Sequence, residues 1–175
     1  PSHRQNTSRH KEVAMRQIRL TAAAACLLAA CQPATTELTD EQRAAIADTV
    51  NAANAEAWDA WREVDLDRAL SYIHDSPDVG FAMEGQVYSG YAEVDSFWRG
   101  GFASADRIDI TISDLRTMVL TADVVCLVQR GVFSVTDSAG TSPETAFALT
   151  TTWVRRDGEW KVLLGHESWL PPESG

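Results

Sequence analysis

Positive charge is the scarcest property of this sequence. Of its 175 residues, 15 are Lys or Arg and 25 are Asp or Glu, leaving a formal charge of −10 at pH 7. A chain this acidic is repelled by phosphate backbones, so nucleic acid is excluded as an expected partner. Cysteine is scarce too: Cys26, Cys31 and Cys126 are too few for a disulfide scaffold. No His/Cys pair stands at zinc-ligand spacing and no glycine-rich phosphate loop is present, so neither a metal nor a cofactor is called for. No apolar run reaches the roughly 18 residues that a membrane helix needs. What remains is a chain of one domain's length, 45% hydrophobic and 23% charged, which suffices for a packed core.

The first thirty residues read as an address rather than as fold. Residues 1–14 precede Met15 and look like an upstream extension. From Met15, the basic Arg16 and Arg19 lead into the short apolar run Leu20–Ala30, which suits a secretory signal over 15–30. The run ends in Leu28-Ala29-Ala30-Cys31, which resembles the bacterial lipoprotein signal. That resemblance implies cleavage before Cys31, a diacylglycerol on its thiol, and attachment to a membrane on the periplasmic side. Gln32 stands where an Asp would favour retention at the inner membrane, so the outer membrane is expected. The alternative is an ordinary signal with a chance cysteine, which would release the protein into the periplasm. Residues 31–175 carry ten basic and 24 acidic side chains. Such a body does not adhere to anionic lipid by charge, so acyl chains, each buried CH₂ contributing about 0.8 kcal/mol, would have to hold it.

Residues 31–38 read as a tether and 39–172 as the folded domain. Thr39 and Gln42 form a capping-box pattern, and Ile46, Val50, Ala53, Ala57, Trp61 and Val64 recur at steps of three and four. This predicts a long helix over Asp40–Arg62. A short second helix carries Leu66, Ala69, Leu70 and Ile73, capped by Asp65 or Asp67. A hairpin turns at Gly85. A third helix carries Tyr91, Val94, Trp98 and Phe102 and is expected to end at Gly100-Gly101. From Arg107 the period becomes two, and four long strands follow, the last two joined by the hairpin signal Asp157-Gly158. On strand parity, Phe147, Leu149, Thr151 and Trp153 share one face, as do Trp160, Val162, Leu164, His166 and Ser168. Helices first and an antiparallel meander afterwards make an α+β fold. One sheet face takes the helices, and the other is expected to meet a second subunit or water.

This order of elements, the Gly85…Gly90 hairpin before the third helix, and the segment Trp153-Val-Arg-Arg-Asp-Gly-Glu-Trp160…His166-Glu-Ser168 resemble the nuclear transport factor 2-like superfamily. That superfamily includes SnoaL-like polyketide cyclases, ketosteroid isomerases and the association domain of calcium/calmodulin-dependent kinase II. The resemblance implies a curved antiparallel sheet wrapped around the long first helix, with two shorter helices. It also implies a cone with a pocket at its wide end and a homodimer formed through the sheet. It assigns no reaction, because members range from enzymes to ligand binders to oligomerisation modules. A small, partly apolar ligand bound in the cone is the first expectation. A proton-transfer enzyme (isomerase, dehydratase or cyclase) and a pure oligomerisation module are the alternatives.

Candidate catalytic residues follow from these two readings. His166 is either an acid/base or ligand hook, or a histidine bonded to neighbouring strands. Glu84 precedes the turn near which ketosteroid isomerases carry their catalytic Asp, and is otherwise an exposed turn carboxylate. Asp114 continues the parity of Ile108, Ile110 and Ile112; inward, it would pair with His166 as in a polyketide cyclase, and outward it is a surface acid. Candidate ligand-binding residues are Tyr72, Trp98, Arg130, Thr151 and Trp153. Arg130 would take a ligand carboxylate if inward, or face a partner or solvent if outward. Tyr72, Phe81, Trp98, Phe147 and Trp153 line a pocket or fill a core. Cys126 reads as a small hydrophobe. Radiolabelled palmitate should label the chain expressed in bacteria, and Cys31→Ser should abolish that labelling; incorporation that survives the substitution removes the lipoprotein assignment.

Overall fold

In a computed structural model, residues 37–170 are described. The signal-like segment, Cys31 and most of the tether lie outside them. The first helix, α1 (Asp40–Arg62), is closed at its start by the expected capping box. The Gln42 amide donates to the Thr39 hydroxyl at 3.2 Å, and the Thr39 amide donates to the Gln42 side chain at 2.9 Å. Its buried side carries Val50, Asn54 and Ala60. The second helix, α2 (Leu66–Ser71), is capped by Asp65, whose carboxylate accepts from the Arg68 amide. The third helix, α3 (Tyr91–Phe102), does not stop at Gly100-Gly101 as expected. The Phe102 ring sits 5.4 Å from Trp61 and 6.0 Å from Trp98, and this aromatic packing holds the last turn that two glycines would otherwise weaken.

Seven strands form one sheet: β1 (Gly80–Met83), β2 (Gln86–Ser89), β3 (Arg107–Thr121), β4 (Val124–Asp137), β5 (Gly140–Thr141), β6 (Thr145–Arg156) and β7 (Glu159–Trp169). Their order is β2-β1-β7-β6-β4-β3, with β5 paired to β4. The sheet is curved and open, and its inner face meets the helices. The β1–β2 and β6–β7 hairpins turn on Glu84-Gly85 and Asp157-Gly158, with positive φ at all four residues, the backbone of a two-residue type I′ turn. One pairing departs from the expected antiparallel pattern: β1 runs parallel to β7. The chain reaches β7 only after crossing from β2 through α3 and the β3–β6 meander, and such a crossover permits parallel pairing.

Two β-bulges set which side chains face inwards. In β3, Ile112 pairs with Gly131 and Asp114 with Arg130, so Ser113 is the extra residue. In β7, Val162 pairs with Trp153 and Leu164 with Thr152, so Leu163 is extra. The second bulge has a local cause. Before it, β7 bonds the segment after α2: the Val162 amide donates to the Tyr72 carbonyl at 2.8 Å, and the Val162 carbonyl accepts from the His74 amide at 2.9 Å. After it, β7 takes β1 as its neighbour, starting at Leu164–Gly80. A bulge reverses the alternation of everything beyond it.

The core gathers Val50, Leu70, Val94, Val125, Leu127 and Trp153, all buried. Gly165 allows Phe81 to close over the sheet, since a Cβ there would lie 2.2 Å from the Phe81 ring. Gly165→Ala should therefore destabilise the fold by about 2 kcal/mol through overpacking. Gly100→Ala, whose Cβ would meet nothing within 4 Å, should stabilise α3 by about 0.5–1 kcal/mol. Denaturant unfolding of the two variants checks this opposition.

Candidate functional site

Between the helices and the inner face of the sheet lies a cavity of about 100 Å³, room for a small ring or a few water molecules. Five of the six tryptophans line it. Trp58 and Trp61 come from α1, Trp98 from α3, and Trp153 and Trp169 from the sheet. Trp61 meets Trp98 edge-on at 5.3 Å, and Phe133 meets Trp169 edge-on at 4.9 Å. The wall is therefore largely aromatic and apolar.

Most polar groups in the wall are already satisfied by one another. The Gln129 side-chain oxygen, on β4, accepts from Asn54 at 3.2 Å and from the Trp58 indole at 3.1 Å. The Trp153 indole donates to the Thr151 hydroxyl at 3.0 Å. The Tyr72 ring lines the cavity, but its hydroxyl donates to Glu56 at 2.8 Å. Burial, and then that bond to a carboxylate, raises the Tyr72 pKa. This tyrosine is therefore held as a wall and is not a free donor.

Glu167 is one of two exceptions, with Trp169. It lines the cavity, is 8% exposed, and its Oε2 has no hydrogen-bond partner. Burial pushes its pKa from 4.5 up to about 7, and the nearby Glu84 carboxylate adds to the rise. The Trp169 indole N–H lies near enough to oppose the rise, but it completes no hydrogen bond and is itself unpartnered. Near neutral pH this carboxyl divides between acid and carboxylate, so it can donate or accept. Among the lining residues there is no Lys, Arg or His to pin it.

The structure brings Tyr72, Trp98, Thr151 and Trp153 to the cavity wall, with Phe81 and Phe147. It does not bring the other candidates there. His166 lies beyond the Leu163 bulge and is exposed on the outer face, paired with Thr150 and Ala82. The Ser113 bulge turns Asp114 outwards, opposite Arg130, and both are exposed. Asp114 and His166 therefore form no pair. Glu84 occupies the exposed β1–β2 turn. Cys126 is half-buried. Sequence reasoning missed Glu167, Trp169, Trp58 and the Asn54–Gln129 pair. One signal was available: Trp160 and Val162 have even positions and Trp169 an odd one, and both sets can face inwards only if the strand holds an extra residue.

A SnoaL-like domain model matches residues 50–172. The chain belongs to the SnoaL-like family. Solved structures with the nuclear transport factor 2-like fold share the architecture of this SnoaL-like domain. A candidate scytalone dehydratase from Novosphingobium aromaticivorans is 8% identical, with 76% of this chain and 89% of that one covered and a TM-score of 0.66. A candidate dehydratase from Streptomyces avermitilis is 18% identical, covering 71% and 96%, with a TM-score of 0.63. A candidate calcium/calmodulin-dependent protein kinase type II association domain from Thiobacillus denitrificans is 22% identical, covering 69% and 94%, with a TM-score of 0.57. At these identities the likeness is one of fold. No curated protein matches the chain.

Glu167 links the site of this SnoaL-like domain to its stability. The unfolded carboxyl titrates near 4.5 and the folded one near 7. The folded chain therefore holds a proton that the unfolded chain has lost in between. This contribution is fully favourable below about pH 4.5 and is lost as pH rises through 7, on the order of 3 kcal/mol in all. Glu167→Gln should raise the melting temperature at pH 8 and change it little at pH 4.5. Thermal unfolding across that range checks both the size and the sign.

Proposed function

We propose that this SnoaL-like domain binds a small, largely apolar molecule in the cavity, with Glu167 as its polar anchor. One observation carries the reading: an aromatic chamber whose amide and hydroxyl groups are hydrogen-bonded, leaving one buried carboxyl, Glu167, unpartnered together with the Trp169 indole N–H. Hydrophobic walls with few convergent polar groups are the usual make-up of a ligand site. An unmade hydrogen bond at a buried carboxyl costs on the order of 1–3 kcal/mol, which a ligand donor or acceptor would recover.

Proton transfer is the second reading, favoured by the Glu167 pKa near 7, where a carboxyl accepts and returns a proton with little penalty. Two of the similar folds are candidate dehydratases. A lone carboxyl with no second titrating group facing it supports binding more directly than it supports catalysis. In the same proposal, a lipid at Cys31 holds the domain at the periplasmic side of the envelope. The outer sheet face, where Met118, Val128 and Leu164 are exposed, joins two copies in a homodimer.

Native mass spectrometry of the purified domain should show a co-purifying small molecule. Ala57→Leu, which adds three carbons to a cavity-lining position, should remove it while far-ultraviolet circular dichroism stays unchanged. A ligand retained in the blocked variant contradicts this assignment of the site.

A further inference from the structure

We propose that the bound molecule is a small organic cation, an amine or a quaternary ammonium, with Glu167 as its counter-ion and the surrounding indoles as its cage. This rests on the cavity being a binding site and goes on to assign the charge of the ligand. Among the described residues, the cavity wall contains no Lys, Arg or His, and its single acid is Glu167. An anion would find no positive partner there and would meet a carboxyl. A cation supplies what the wall lacks, a charge to complete Glu167, whose Oε2 has no partner.

The aromatic content points the same way. Indole is the strongest cation–π acceptor among side chains, and five indoles line one chamber. Indoles gathered around a carboxylate hold a cation by two forces that add, and both strengthen where water is excluded. A neutral alcohol or ketone would satisfy the Glu167 oxygen but gain no cation–π attraction from the indoles. The net charge of −10 favours approach of a cation. A cavity of about 100 Å³ is of the order of a trimethylammonium group.

Binding would draw Glu167 from the acid to the carboxylate and release its proton, so affinity should rise with pH around neutrality. The other titratable groups near it are Glu84, at the end of β1, and Tyr72, whose hydroxyl is committed to Glu56. Among the described residues, α1, α3, β4 and β6 bring no titratable side chain into the cavity wall.

Isothermal titration of the full chain with three probes of similar shape tests the proposal: choline, the uncharged 3,3-dimethylbutan-1-ol, and the anion 3,3-dimethylbutanoate. Choline should bind at least about tenfold more tightly than the alcohol, and the anion most weakly. Choline affinity should rise about tenfold from pH 6 to pH 8, as the ionised fraction of a group titrating near 7 rises. Glu167→Gln should weaken the choline preference and abolish its pH dependence while leaving alcohol binding in place. Equal binding of choline and the alcohol, or a choline affinity indifferent to pH and to Glu167→Gln, overturns the cation assignment and leaves the binding site standing. Failure of all three probes to bind, together with no co-purifying molecule, overturns the cation assignment and the binding site alike.

Discussion

One extra residue in the last strand, Leu163, determines which of its side chains reach the interior. At this point β7 exchanges one neighbour for another, bonding the Tyr72–His74 segment on one side and β1 on the other. The insertion reverses the alternation of the strand's second half. His166 and Ser168 therefore face outwards, and Glu167 and Trp169 line the cavity. The Ser113 bulge in β3 acts in the same way on Asp114. The chemistry of the chamber follows from these two backbone irregularities more than from residue type alone.

The chamber combines two opposite solutions to burying polar groups. The Asn54–Gln129–Trp58 network and the Trp153–Thr151 bond close on themselves, tying α1 to β4 and keeping the wall rigid. Such closed sets cost little once formed. The Glu167 carboxyl is instead left open, and the fold bears the cost as a raised pKa. Surrounding aromatic packing is large enough to carry that cost, because each buried ring contributes a few kcal/mol by area. An open polar group inside a satisfied shell is a feature more easily explained by what it binds than by what it does for folding.

Much of the architecture was legible in the sequence because local rules agreed with one another. The Thr39/Gln42 pattern and the apolar steps from Ile46 fixed α1 to its observed ends, and Asp157-Gly158 marked a turn of the type found. Four of the five candidate ligand residues, Tyr72, Trp98, Thr151 and Trp153, lie at the cavity wall, since side chains on an inward strand face or helix stripe turn towards the core. His166 and Asp114 stand outside the wall because each lies beyond a β-bulge, whereas Glu84 sits in the exposed β1–β2 turn. Parity propagates perfectly along a regular strand but not across a bulge, and the bulge at Leu163 depends on which neighbours pair with β7, a tertiary fact. The even-to-odd switch from Val162 to Trp169 was the trace it left. The parallel β1–β7 pairing was hidden for the same reason, because the two segments lie about eighty residues apart.

The chemistry of the chamber depends on the carboxyl of Glu167 lying inside it and titrating far above its ordinary value. Carbon-13 NMR titration of the side-chain carboxyl, assigned by comparison with Glu167→Gln, measures this directly. A midpoint near 7 is predicted. A Glu167 midpoint near 4.5 would contradict the account, because it would mean a solvated carboxylate and a last strand without the reversal at Leu163.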